Sequence, residues 1–228
     1  MPRISRKELK KDEFATEVSK TYEFVQRQRK TLTHLGIVAA AVALVAASGY
    51  FLAQRRSAAA NDQLVEALKV YYPLSGDITY ADDKARYTVA QKRFAAVADK
   101  YSWLKPGLVA RYYEGLSARN AGSTDEAIRL LQLVAHKRDE DYSSLARFAL
   151  AAIYAQAGRT AEAETLYREL SQKPTDTVPG ETASLALADL LSATKPAEAE
   201  KIYLELKKQA PKSAAAEQAE KRLAELKK

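Results

Sequence analysis

The chain has 228 residues, 47% of them hydrophobic, with 8 glycines, 7 prolines and no cysteine. That is enough apolar material for one or two folded domains; it excludes disulfides, thiol catalysis and cysteine-ligated metals, and the scarcity of turn residues argues against a strand-rich fold. The net charge of +7 does not point to nucleic acid, because residues 57–228 are almost balanced, with 25 Lys/Arg against 24 Asp/Glu. The excess sits at residues 1–34, with 9 Lys/Arg against 5 Asp/Glu, and at Arg55 and Arg56, whereas a nucleic-acid binder concentrates it on its folded domain.

Residues 1–34 read as a basic amphipathic segment. Ser5 and Glu8 fit a capping box. Phe14, Val18, Tyr22 and Val25 then form one apolar stripe. Such a helix lies on an anionic membrane surface or docks on a partner, and its charge favours the cytoplasmic side.

Residues 35–54 read as a single transmembrane signal-anchor helix. Leu35 to Ala53 carries no charge and is bracketed by Arg27, Arg29 and Lys30 on one side and Arg55 and Arg56 on the other. At 1.5 Å per residue it spans roughly 28 Å, close to a bilayer core of about 30 Å. The long segment before it argues against a cleaved signal peptide. Ala39, Ala43 and Ala47 form a small-residue row that permits close helix approach in lipid. The positive-inside bias then places the N-terminus in the cytoplasm and residues 57–228 outside it.

Residues 57–228 read as stacked helical hairpins. "AEAETLYREL" at Ala161 and "AEAEKIYLEL" at Ala197 share seven of ten residues, 36 residues apart. Wider frames show one plan at about 106–141, 142–177 and 178–212: an apolar-periodic helix, a break, then a second helix. The breaks centre on Gly122, Gly158 and Thr194–Pro196. Upstream, Ala58–Tyr72 and a helix containing Ala90 and Phe94 make an irregular hairpin over 58–103. Downstream, 213–228 is a polar-faced capping helix. Ser123 and Glu126 fit a capping box for the helix that follows Gly122.

These residues resemble the tetratricopeptide repeat (TPR). Gly115 and Ala151 match its small residue in helix A, and Tyr154 matches the helix A aromatic. Ala127, Ala163 and Ala199 match the small residue of helix B, Leu131, Tyr167 and Tyr203 its aromatic position, and Pro211 the closing proline. Leu187 and Leu190 depart from the pattern, and the period exceeds the usual one by two residues, as in a divergent TPR. The resemblance implies an all-α solenoid whose inner face includes Tyr112, Leu116, Arg119, Phe148, Ala152 and Gln156. The lysine and asparagine that let some TPRs clamp an acidic tail are missing there, which favours an extended or helical apolar segment. On the residues alone, Tyr112 and Phe148 equally fit interhelical packing.

No catalytic constellation is legible. His34 and His136 are the only histidines, and neither has a neighbour at ligand spacing; no phosphate loop or nucleophile elbow occurs. The expectation is a non-enzymatic protein with no cofactor and no metal. The order of tail, anchor and TPR domain resembles the bacterial YfgM-type ancillary subunits of the Sec translocon. That resemblance implies an inner-membrane scaffold with a periplasmic TPR domain, linking exported chains to periplasmic chaperones. The cell-division coordinator (CpoB) type of envelope scaffold is the alternative.

Overall fold

The computed structural model describes residues 29–73, 80–209 and 211–226. Most of the basic segment, including Phe14, Val18, Tyr22 and Val25, lies outside the described residues, as does part of the connection after Pro73. Every regular element among the described residues is an α-helix. The chain divides into two compact units, Met1–Arg56 and Ser57–Lys228.

Helix α1 (Arg29–Tyr71) contributes to both units. A separate helix was expected to start at Ala58, but α1 is continuous there. The reason is local: no glycine or proline occurs between Phe51 and Tyr72, so nothing stops propagation. Within α1, Thr33–Tyr71 contains an apolar window of mean hydropathy 2.2, none of which is buried. By length and composition it suffices to cross a membrane.

In the second unit, α1 is followed by α2 (Asp83–Lys100), α3 (Lys105–Asn120), α4 (Thr124–Ala135), α5 (Glu140–Gln156), α6 (Thr160–Gln172), α7 (Gly180–Leu191), α8 (Pro196–Gln209) and α9 (Ala214–Leu226). Consecutive helices from α2 onward pack on each other; α3 also touches α5, and α7 touches α9. Ala60, Leu64, Ala67 and Val70 of α1 bury their apolar face against Ala90, Phe94 and Val97 of α2. A second core runs from Ala118 to Leu223 through the remaining hairpins.

The hairpin turns follow from their glycines. Gly122 and Gly158 have φ of +87° and +74°, a region that side chains rarely adopt. Each closes its helix with paired bonds. Ser123 N–H donates to Ala118 O (2.8 Å) and Gly122 N–H to Arg119 O; Arg159 N–H donates to Tyr154 O (2.8 Å) and Gly158 N–H to Ala155 O. This is a Schellman motif used twice. The third hairpin has no glycine there and begins α8 with Pro196, whose missing N–H costs nothing at a helix start.

The capping box expected at Ser123 does not form. Ser123 stands at the N-cap of α4 without a side-chain cap bond. Glu126 instead binds Arg129 Nε and Nη2 at 2.8 and 2.7 Å. Aspartates cap other helices: Asp82 accepts from Ala85 N–H, and Asp139 from Tyr142 N–H.

Candidate protein-binding surface

The residues of the repeat signature fall at helix contacts. Ala127, Ala151, Ala163 and Ala199 are all fully buried. A methyl group at these positions lets neighbouring helices approach closely. Gly115 is tighter still: a Cβ there would lie 2.8 Å from Leu131 Cγ. Tyr154, Tyr167 and Tyr203 are buried. Pro211 is exposed in the turn between α8 and α9 and fills no core space, so its part is to stop a helix.

Buried tyrosines need a partner for the hydroxyl. Tyr154 Oη accepts from Gln132 Nε2 at 3.2 Å, and the Arg159 guanidinium lies over its ring at 4.1 Å. Tyr203 Oη donates to Asp189 Oδ1 at 2.6 Å, and the same carboxylate oxygen is 3.2 Å from Arg222 Nε of α9. Burial and the Asp189 carboxylate both push the Tyr203 phenol up. This network ties the last helix to the last hairpin and was not legible beforehand, because Asp189 and Arg222 match no motif.

Tyr112, Leu116 and Arg119 occupy successive turns of α3, all half-buried, and Tyr112 and Leu116 pack against the hairpin core. On α5, Phe148 is half-buried and Gln156 exposed. Phe148 meets Tyr167 edge-on, with centroids 5.4 Å apart. Tyr112 meets Tyr113 at 5.3 Å and Tyr142 at 5.8 Å, both edge-on. Tyr112 and Phe148 are therefore partly packing residues, and each still presents part of its ring.

Around Tyr112 lies an aromatic assembly that sequence reasoning missed. Tyr71 contacts Tyr72, Tyr87, Phe94 and Tyr113 edge-on, and Phe94 stacks on Tyr113 at 5.4 Å. Tyr72 reaches Tyr113 at 6.3 Å. Asn120 Nδ2 donates to Tyr71 Oη at 3.1 Å. Burial raises the Tyr112 phenol and pushes that of Tyr113 up to about 12, so both stay neutral over ordinary pH. The only available signal was the pair of doublets, Tyr71–Tyr72 and Tyr112–Tyr113, in a chain with 13 tyrosines.

Charges in this unit are mostly engaged. Arg111 Nη1 donates to the buried Glu114 at 2.6 Å and Nη2 to Asp99. Burial pushes the Glu114 carboxyl up, against the opposing pull of Arg111. Lys105 Nζ lies 3.2 Å from Asp139. Arg168 bridges Glu164 of its own helix and Glu198 of α8, and Lys195 also holds Glu164 at 3.0 Å. Arg119 has no ion pair or side-chain hydrogen bond among the described residues. His136 Nδ1 lies 2.7 Å from Gln132 O at the end of α4. Among the described residues, no three His, Asp or Glu side chains gather to hold an ion.

The stack of paired helices has a solved counterpart. A crystal structure of kinesin light chain nearly identical TPR-like repeats from Podosopora anserina superposes with a TM-score of 0.57, at 15% identity, over 73% of this chain and 84% of that one. The fold is TPR-like. No protein-family model and no curated protein matches the sequence. The TPR part of the resemblance thus holds at the level of fold.

Proposed function

We propose that this chain is a membrane-anchored scaffold whose TPR-like hairpins hold other proteins. The observation that carries this reading is the combination of an unburied apolar helical stretch with a hairpin stack that presents a half-exposed aromatic face. A fold of stacked hairpins supplies surface rather than chemistry. An apolar helical stretch exposed along its length needs either lipid or a partner to cover it.

In the finer reading, the anchor sits in a bacterial inner membrane with its N-terminus in the cytoplasm, and the TPR-like unit is periplasmic. The protein is then an ancillary subunit of the Sec translocon, passing exported chains to periplasmic chaperones. The basic residues around the apolar stretch and the resemblance in layout support it. Mild crosslinking in intact membranes, followed by mass spectrometry, tests it. Recovery of translocon and chaperone components is the expected result, and recovery of an unrelated complex without them would overturn it.

The rival envelope scaffold would be released by cleavage near the small residues Ala58–Ala60. Ala60 is fully buried against the hairpin core within an unbroken helix, which favours the uncleaved form. A mature N-terminus at Met1 or Pro2 agrees with the anchor, and one near Ala60 with the rival.

A further inference from the structure

The only tryptophan of the chain stands in the open on a fixed turn. Trp103 lies between α2 and α3 and is 59% exposed. The turn around it is held from both sides. Tyr101 is buried, and its hydroxyl accepts from Gln63 Nε2 of α1 at 3.3 Å. Leu104 N–H donates to Tyr101 O at 2.9 Å. Gly107, in the first turn of α3, closes over the same carbonyl, which a Cβ at that position would strike. Most of a large apolar side chain therefore stays in water, where it adds nothing to the burial that holds the fold.

The pairing of α1 with α2 shows where this turn falls. Arg86 Nη1 donates to Tyr71 O, Arg93 Nη1 to Glu66 O at 3.5 Å, and Tyr101 meets Gln63. Later residues of α2 thus meet earlier residues of α1, and the α2–α3 turn lies beside the first turns of the second unit. From Ala53, where the uncharged run ends, to Gln63 is ten residues of α1. At 1.5 Å per residue that is about 15 Å of helix. With the apolar run in the hydrocarbon, so short a tether keeps Trp103 close to the headgroup layer.

The charges beside the turn are balanced. Lys100 and Lys105 flank it, while Asp99 precedes Lys100 and Asp139 lies 3.2 Å from Lys105. They do not demand an anionic surface. The indole is the feature that selects a bilayer, because an apolar ring with one N–H is favoured where hydrocarbon meets water.

We propose that Trp103 seats in the interfacial layer of the bilayer that takes residues 35–54, giving the TPR-like unit a lipid contact of its own beyond the tether. The proposal rests on the anchored reading and adds a second membrane-binding element to it.

The test reconstitutes the full-length chain in phosphatidylcholine vesicles whose acyl chains carry bromine either near the headgroup or near the chain end. No other tryptophan is present, so quenching of indole emission reports this one turn. Shallow bromine is expected to lower the emission at least about twofold, and deep bromine clearly less, as an interfacial indole requires. A control chain, Trp103→Phe with Leu204→Trp, carries its indole at an exposed position of α8 and should not be quenched. Trp103 emission that ignores bromine, in a chain that still floats with the vesicles, overturns this inference and leaves the anchor standing. So does equal quenching of the control chain, which would mean that the unit lies on lipid without using this turn. A chain that does not float with the vesicles overturns both.

Discussion

Gly115 of α3 faces Leu131 of α4 with no room for a methyl group between them. A Cβ on Gly115 would sit 2.8 Å from Leu131 Cγ and 3.0 Å from Cδ2, and Leu131 is itself fully buried. The leucine cannot swing outward, so Gly115→Ala should force the first hairpin apart. The expected loss is about 1–3 kcal/mol, as for other overpacked sites. Thermal or denaturant unfolding followed through Trp103, the single tryptophan, measures it. An unchanged midpoint would contradict this contact.

Ser117 sits one turn on from Tyr113 in α3, fully buried, and its hydroxyl has no hydrogen-bond partner among the described residues. Desolvation without compensation is unfavourable, and alanine fits the same space. Ser117→Ala is therefore expected to raise stability by about 1 kcal/mol. A lowered melting temperature would mean that the hydroxyl is served after all.

Glu164 links two repeats through Arg168 and Lys195, and hydrogen bonds from those two cations lower its pKa. A lowered folded-state pKa stabilises the protein above the ordinary carboxylate range and ceases to do so as pH falls through the lowered value. Glu164→Gln should therefore cost up to about 1 kcal/mol at neutral pH, the scale of partly exposed pairs. The difference from wild type should shrink on acidification below about pH 4.5. Melting curves from pH 3 to pH 7 check this; a gap that widens toward acid would reverse the sign and refute the assignment.

Tyr203→Phe keeps the ring that fills the core of the last hairpin and removes only its bond to Asp189. The acceptor is a carboxylate, so the loss should be about 1.5–3 kcal/mol, softened where Arg222 continues to hold Asp189. Hydrogen exchange in α9 should quicken with it. Normal exchange in α9 would show that the last helix is held without this bond.

The hairpins were legible because small residues at tight contacts recur at a fixed interval. Ala127, Ala163 and Ala199 each stand at the fourth position of their helices, and all three are fully buried. The turn glycines were legible for a similar reason, since positive φ leaves few residue choices. The aromatic assembly was not, because it joins the end of α1 to α3 across a long connection, and no local pattern records which ring meets which. The continuity of α1 was not legible because the apolar run ends near Ala53 while the helix does not, with no glycine or proline to stop it before Pro73. Ser123 shows the reverse error: a motif was present, and Glu126 found a better partner in Arg129.

The wiring of the second unit also fixes how it should bear load. Among the described residues, each helix from α2 onward leans on its chain neighbours, and longer ties join α3 to α5 and α7 to α9. Pulled from its two ends, such an assembly is expected to yield piece by piece, the hairpin joined by the Tyr203–Asp189 clasp resisting until α9 peels away. A single all-or-none rip in an optical-tweezers trace would show tension shared across the whole stack.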